Sequence, residues 1–193
     1  MNVYESLKAL SPDRVLALPR QSQESDWSNM VLPTPLTWTF AVDPDALWFM
    51  CALPGGGRST APPKEFVEGL WEEDVAEFFI KSPNGVYQEV NIAPSGAWWS
   101  MTLDGYRVRR ESPVKPEVLH LCTSVGDRGW SVVAAFSRVS MEVGVTPHSL
   151  LHVSGMWYQE APNYLSSRPL QGVAPDYHHE GCFEPVAIIP CSD

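Results

Sequence analysis

Two glutamates stand where an alternating chain has apolar neighbours. In the run Val75-Ala76-Glu77-Phe78-Phe79-Ile80, strand alternation separates Ala76, Phe78 and Ile80 from Val75, Glu77 and Phe79. A carboxylate beside Val75 and Phe79 is costly unless it is paired, hydrogen-bonded or in contact with a ligand. The chain turns at Ser82-Pro83-Asn84-Gly85 and returns over residues 86–92. That return puts Tyr87, Glu89 and Asn91 on one face, opposite Val86, Gln88, Val90 and Ile92. A hairpin between the two runs brings Glu77 and Glu89 together as a polar patch in an apolar sheet. Three chemistries suit such a patch: a ligand-binding floor, an exposed face charged for solubility, or a glycosidase-like pair of acid and base. Nothing in the sequence marks either carboxyl as the one with a raised pKa.

Other chemistry-bearing groups carry weaker signals. Asp176-Tyr177-His178-His179-Glu180 gathers metal-ligand types and an aromatic ring. Adjacent histidines on an extended chain point to opposite sides, and the H-E-x-x-H helical spacing is absent, so polar surface is the expectation there. A haem site needs two axial ligands converging on a pocket; His120, His148 and His152 are available, but no spacing singles them out. There is no G-x-S-x-G elbow, P-loop or G-x-G-x-x-G fingerprint, and Gly55-Gly56-Gly57 reads as a flexible loop. Trp98-Trp99 lies in a strand pattern, which allows at most one indole in the core and leaves the other as cover for a sheet edge or as an exposed stacking platform.

The elements that must position these groups read mostly as strands. Residues 36–42 and 47–53 form a hairpin across Asp43-Pro44-Asp45, with Trp38, Phe40 and Val42 on one inward face and Leu47, Phe49, Cys51 and Leu53 on the other. Residues 63–70 have a helical face in Phe66, Val67 and Leu70. Strands follow over 74–81, 86–92 and 97–103, then a two-residue turn at Asp104-Gly105 and a return over 106–110. Residues 117–123, 129–139 and 149–158 are further strands, 159–181 a long polar loop, and 185–189 a final strand. Many short strands with turn signals predict an all-β fold, an antiparallel β-sandwich of jelly-roll type with one or two short helices. One domain over 1–193 is expected, with its core over about 30–190 and residues 1–29 as an N-terminal extension or first strand.

Bulk properties narrow the function. The formal charge of −10 and the lack of a Lys/Arg cluster exclude a nucleic-acid backbone as main partner; Arg107, Arg109 and Arg110 are the nearest approach to a basic patch. No run approaches the roughly 20 apolar residues of a membrane span. Residues 1–10 lack a basic region followed by an apolar run, so no secretory signal is expected. Cys51, Cys122, Cys182 and Cys191 are far apart and read as free thiols of a cytoplasmic protein. Oligomeric state has no signature in the sequence.

One resemblance covers most of the chain. The run Trp71-Glu72-Glu73-Asp74 through Glu77-Phe78-Phe79, then Tyr87, Asn91 and Pro94-Ser95-Gly96, resembles the family 9 carbohydrate-binding modules and their DOMON-like relatives. Gly129-Trp130-Ser131-Val132-Val133-Ala134-Ala135 is similar to the family's late core strand. The segment from Pro175 to Phe183 is similar to its closing aspartate-aromatic-histidine segment. The resemblance implies a β-sandwich that binds a carbohydrate without catalysis, the sugar clamped between two rings. Carried over by position, Trp71 and Tyr177 are those rings and Glu77 is a hydroxyl acceptor. Glu89, Asn91 and His178 complete the expected ligand-binding set. Some members bind structural calcium, which the acidic balance permits without locating a site; no other cofactor is implied. The pattern departs at Glu89, where sugar-binding members carry a basic residue, and at residues 151–157, which lack the expected asparagine and arginine. Glu184 also replaces a common glycine. The alternative function is a ligand-sensing or protein-interaction domain of the same fold.

Overall fold

The computed structural model describes residues 1–191. Two seven-stranded sheets pack face to face. The first has the order β14(Ala187–Pro190), β1(Asn2–Glu5), β3(Val31–Val42), β4(Ala46–Leu53), β10(Gly129–Ser137) and β9(Val118–Gly126), with β2(Gln21–Ser25) also on β3. The second has the order β12(Pro162–Ser166), β11(Leu150–Tyr158), β5(Val75–Lys81), β6(Tyr87–Ile92), β7(Trp98–Gly105) and β8(Val108–Arg109), with β13(Glu184–Pro185) on β11. One short helix, α1(Pro12–Leu16), is capped by the Ser11 side chain, which accepts from the Arg14 N–H.

Alternation builds the layers as expected. Phe40, Phe49, Phe78 and Phe136 meet between the sheets, joined by Trp38, Cys51, Ala76 and Ile80. Val75 and Phe79 face the other way, into a second apolar cluster on the outer side of the second sheet. The outer side of the first sheet carries a third cluster around Trp48, under Val15 of α1. The all-β sandwich is therefore the observed fold.

Several local expectations are corrected. Residues 63–70 are not helical: Phe66 forms a parallel bridge to Trp98, and its ring packs 4.7 Å from Trp98 and 4.6 Å from Trp99. Burial of Phe66 between two indoles outweighs a weak helical face. The turn expected at Asp104-Gly105 sits two residues later. Strand β7 continues through Gly105, which pairs with Val108, and Tyr106-Arg107 make the loop with Arg107 at φ +57°. The long polar loop contains β12, which pairs along β11. Neither Trp98 nor Trp99 is exposed; both are 6% accessible, one in the inter-sheet core and one in the outer cluster. The outer face is covered by loops, so a strand here has two apolar sides. The sandwich is not wholly antiparallel either, since β1 runs parallel to both β14 and β3.

Candidate functional site

The outer face of the second sheet is roofed by two arms of chain, residues 61–72 and 167–183, and a cleft of about 280 Å³ opens between them. Its floor comes from three adjacent strands. Glu77 and Phe79 project from β5, Glu89 from β6, and Met156 and Tyr158 from β11. Registry fixes these positions: Glu77 pairs with Asn91 on one side and Ser154 on the other, and Phe79 pairs with Glu89. Glu77 and Glu89 are thus diagonal neighbours on one face. At 3% and 5% accessibility they are buried, which removes the exposed charged face as an account of them.

Trp71 reaches the rim from a short 3-10 turn, Leu70–Glu72, that begins after Gly69 at φ +91°, a left-handed conformation suited to glycine. The Arg109 guanidinium lies 4.7 Å from the centre of the Trp71 ring. Tyr177 comes from the other arm. Its hydroxyl donates to the Gly155 carbonyl at 2.8 Å, and its ring packs against Trp27 and Tyr164. His152 fixes the same arm. A carbonyl only accepts, so His152 Nδ1–H donates to Tyr177 O at 3.0 Å, and the Ser166 hydroxyl then donates to Nε2 at 2.9 Å. Burial holds the His152 pKa down at about 3, so the ring is neutral.

Asp176 locks that arm to the β7–β8 turn, accepting from the Tyr106 hydroxyl at 2.6 Å and from Arg107 Nη2 at 2.8 Å. Burial alone raises its pKa, but these hydrogen bonds and the Arg107 charge hold it below the usual carboxylate range. Arg107 N–H donates to the Tyr87 hydroxyl at 3.1 Å. The Tyr87 proton then goes to His178 Nδ1, 2.9 Å away, leaving N–H at Nε2, 3.9 Å from Glu89 Oε2. Burial first, and the Arg107 charge second, lower the His178 pKa to about 4.

The two floor carboxyls are perturbed in the opposite sense. Burial is the main cause for Glu77, and the nearby Glu89 charge adds to it; the Ser154 hydroxyl, donating to Oε2 at 2.8 Å, only partly opposes them. The Glu77 pKa is pushed up to about 8. Burial also raises that of Glu89, against the hydrogen bond from Asn91 Nδ2 at 2.8 Å and the charges of Arg109 and Arg107. At neutral pH the floor therefore offers a protonated carboxyl beside acceptor oxygens. Glu89 Oε2 is buried with no hydrogen-bond partner among the described residues.

Five of the six sequence-derived candidates, Trp71, Glu77, Glu89, Tyr177 and His178, line this one cleft. Asn91 does not; fully buried on the same face, opposite Glu77, it donates to Glu89. The sequence reading missed Phe79, Met156 and Tyr158, which looked like ordinary strand residues, and Tyr164, which fell in the expected long loop. It noted Arg107 and Arg109 only as basic residues, yet they stand on the rim and supply the positive charge that Glu89 itself does not. Among the described residues, no group of three or more His, Cys, Asp or Glu side chains comes together as a metal site. No described helix is long and apolar enough to cross a membrane.

The β-sandwich fold has counterparts among solved structures. The chain is similar to a "putative carbohydrate-binding protein" from Bacteroides uniformis, with a TM-score of 0.71, 15% identity and 98% of each chain covered. It is also similar to a family 9 carbohydrate-binding module from Caldicellulosiruptor kristjanssonii in complex with glucose. That match has a TM-score of 0.58 and 10% identity, over 100% of this chain and 98% of the module. A module from the same organism in complex with cellotriose gives 0.56 and 11%, covering 100% of this chain and 96% of the other. At these identities the likeness is one of fold. No family model matches the sequence, and no curated protein matches it.

Proposed function

We propose that this protein is a non-catalytic carbohydrate-binding protein, with Trp71 and Tyr177 flanking the sugar and Glu77 and Glu89 hydrogen-bonding its hydroxyls. The observation that carries this reading is the cleft itself: aromatic walls over a floor of two buried carboxyls, one acceptor oxygen of which is unpartnered. A pyranose has apolar C–H faces that pack on rings and an equator of hydroxyls that need donors and acceptors. A protonated Glu77 donates as well as accepts, and the rim guanidiniums add donors. A volume of about 280 Å³ suits a small ligand such as one or two sugar rings. Support also comes from the glucose and cellotriose complexes of the similar modules.

Calorimetric titration of the protein with glucose, cellobiose and cellotriose tests the reading. Binding is expected, and Trp71→Ala is expected to weaken it by at least about tenfold, the loss of one well-packed ring. Trp71 is half-buried at the rim, so the variant keeps its fold. Absence of binding to any saccharide, or unchanged affinity in the variant, refutes the assignment.

A further inference from the structure

The cleft holds more acid than its base can balance. Glu77 and Glu89 lie on its floor, and neither is hydrogen-bonded to a lysine or arginine among the described residues. The two guanidiniums at the rim are already matched. Arg107 pairs with Asp176 at 2.8 Å, and Arg109 pairs with Glu68 at 3.0 Å while resting on the Trp71 ring. His178 faces Glu89 at 3.9 Å, beyond hydrogen-bond distance, and burial keeps its ring neutral. Tyr87, Tyr158, Tyr164 and Tyr177 bring hydroxyls but no charge.

A buried carboxylate oxygen with no partner is an expensive feature to retain. Glu89 is 95% buried, its Oε1 is held by Asn91, and its Oε2, buried and unpartnered, lies 3.9 Å from Nε2 of His178, which lines the cleft with it. A neutral sugar hydroxyl satisfies that oxygen with one ordinary hydrogen bond. A ligand ammonium satisfies it with a charge-assisted bond, and the protonated Glu77 beside it can accept a further bond through its carbonyl oxygen. The aromatic lining of Phe79, Trp71 and Tyr177 favours a cation in the same place, and the net charge of −10 draws cations toward the molecule.

We infer that the preferred ligand is an amino sugar, its ammonium seated against Glu89 Oε2 beside Glu77. This rests on the carbohydrate-binding reading above and narrows it to a ligand class. The ring contacts at Trp71 and Tyr177 serve any pyranose; the floor distinguishes the charged one.

Calorimetry of the full chain at pH 6.5 with glucosamine, glucose and N-acetylglucosamine tests the inference. Glucosamine is expected to bind at least about tenfold more tightly than glucose, because a charge-assisted bond replaces a neutral one. N-acetylglucosamine keeps the nitrogen but not the charge, and is expected to lose that advantage. In Glu89→Gln the ratio of glucosamine to glucose affinity should collapse toward unity. The comparison of ligands on the wild-type protein stands even where that variant folds poorly. Glucose binding as tightly as glucosamine overturns the inference and leaves the sugar-binding reading intact. Failure of all three, with cellotriose also silent, overturns both.

Discussion

Replacing Glu77 with glutamine should change how the protein's stability depends on pH. The folded-state pKa is raised from an ordinary 4.5 to about 8, chiefly by burial and then by Glu89. A carboxyl raised in the folded state stabilises fully below its unfolded pKa, and that contribution is lost as pH rises through the folded value. The slope for one such group is about 1.4 kcal/mol per pH unit. His152 and His178 act with the opposite sign. Their folded values of about 3 and about 4 lie below the ordinary 6.5, so stability gains from them as pH rises toward 6.5. Below pH 6.5 these slopes oppose each other; above it the histidine gain fades within about one pH unit as the unfolded-state rings lose their remaining protons. From pH 6.5 to 8 the Glu77 carboxyl by itself removes about 2 kcal/mol and the fading histidine gain offsets about half of that, so the wild-type protein should lose about 1 kcal/mol, a fall in Tm of roughly 2–4 °C for a chain of this size. Glu89, also raised, adds in the same direction. Glutamine keeps the shape and still accepts from Ser154 but does not titrate, so Glu77→Gln should lack this fall over the range. Urea unfolding of both proteins at pH 6.5, 7.2 and 8 measures the difference. An equal pH slope in the two proteins refutes the assignment of a buried, proton-holding Glu77.

Other substitutions probe the frame around the cleft. Tyr177→Phe removes the hydroxyl that donates to the Gly155 carbonyl and should cost about 1 kcal/mol in urea unfolding. Trp98→Ala and Trp99→Ala should each destabilise by about 3–5 kcal/mol in thermal melts, because both indoles are core; an exposed platform would cost far less. Asp176→Asn keeps its outline but weakens the tie to Arg107. Because that ion pair is half-exposed, the expected loss is below about 1 kcal/mol by the same urea assay.

The sequence by itself determined the strands and the faces of the central ones. Period-two alternation put Ala76, Phe78 and Ile80 inward and Glu77 outward, and the turn at Ser82-Pro83-Asn84-Gly85 paired Glu77's strand with that of Glu89. Alternation is a local property, so it survives without knowledge of the rest of the chain. What it leaves open is whether the outward face meets water or more protein. Here the arms at residues 61–72 and 167–183 cover that face, which buried both glutamates and Trp99 and made a cleft of what looked like a sheet surface. The same closure joined distant residues. Trp27, from a segment with no strong signal, buttresses Tyr177, and Arg107 and Arg109 arrive at the rim through a turn two residues away from its sequence signature. Such meetings depend on long-range packing rather than on neighbouring residues. Sequence therefore named Glu77 as a carboxyl in the wrong company and Glu89 as its neighbour, and only the tertiary structure supplied the burial that raises its pKa.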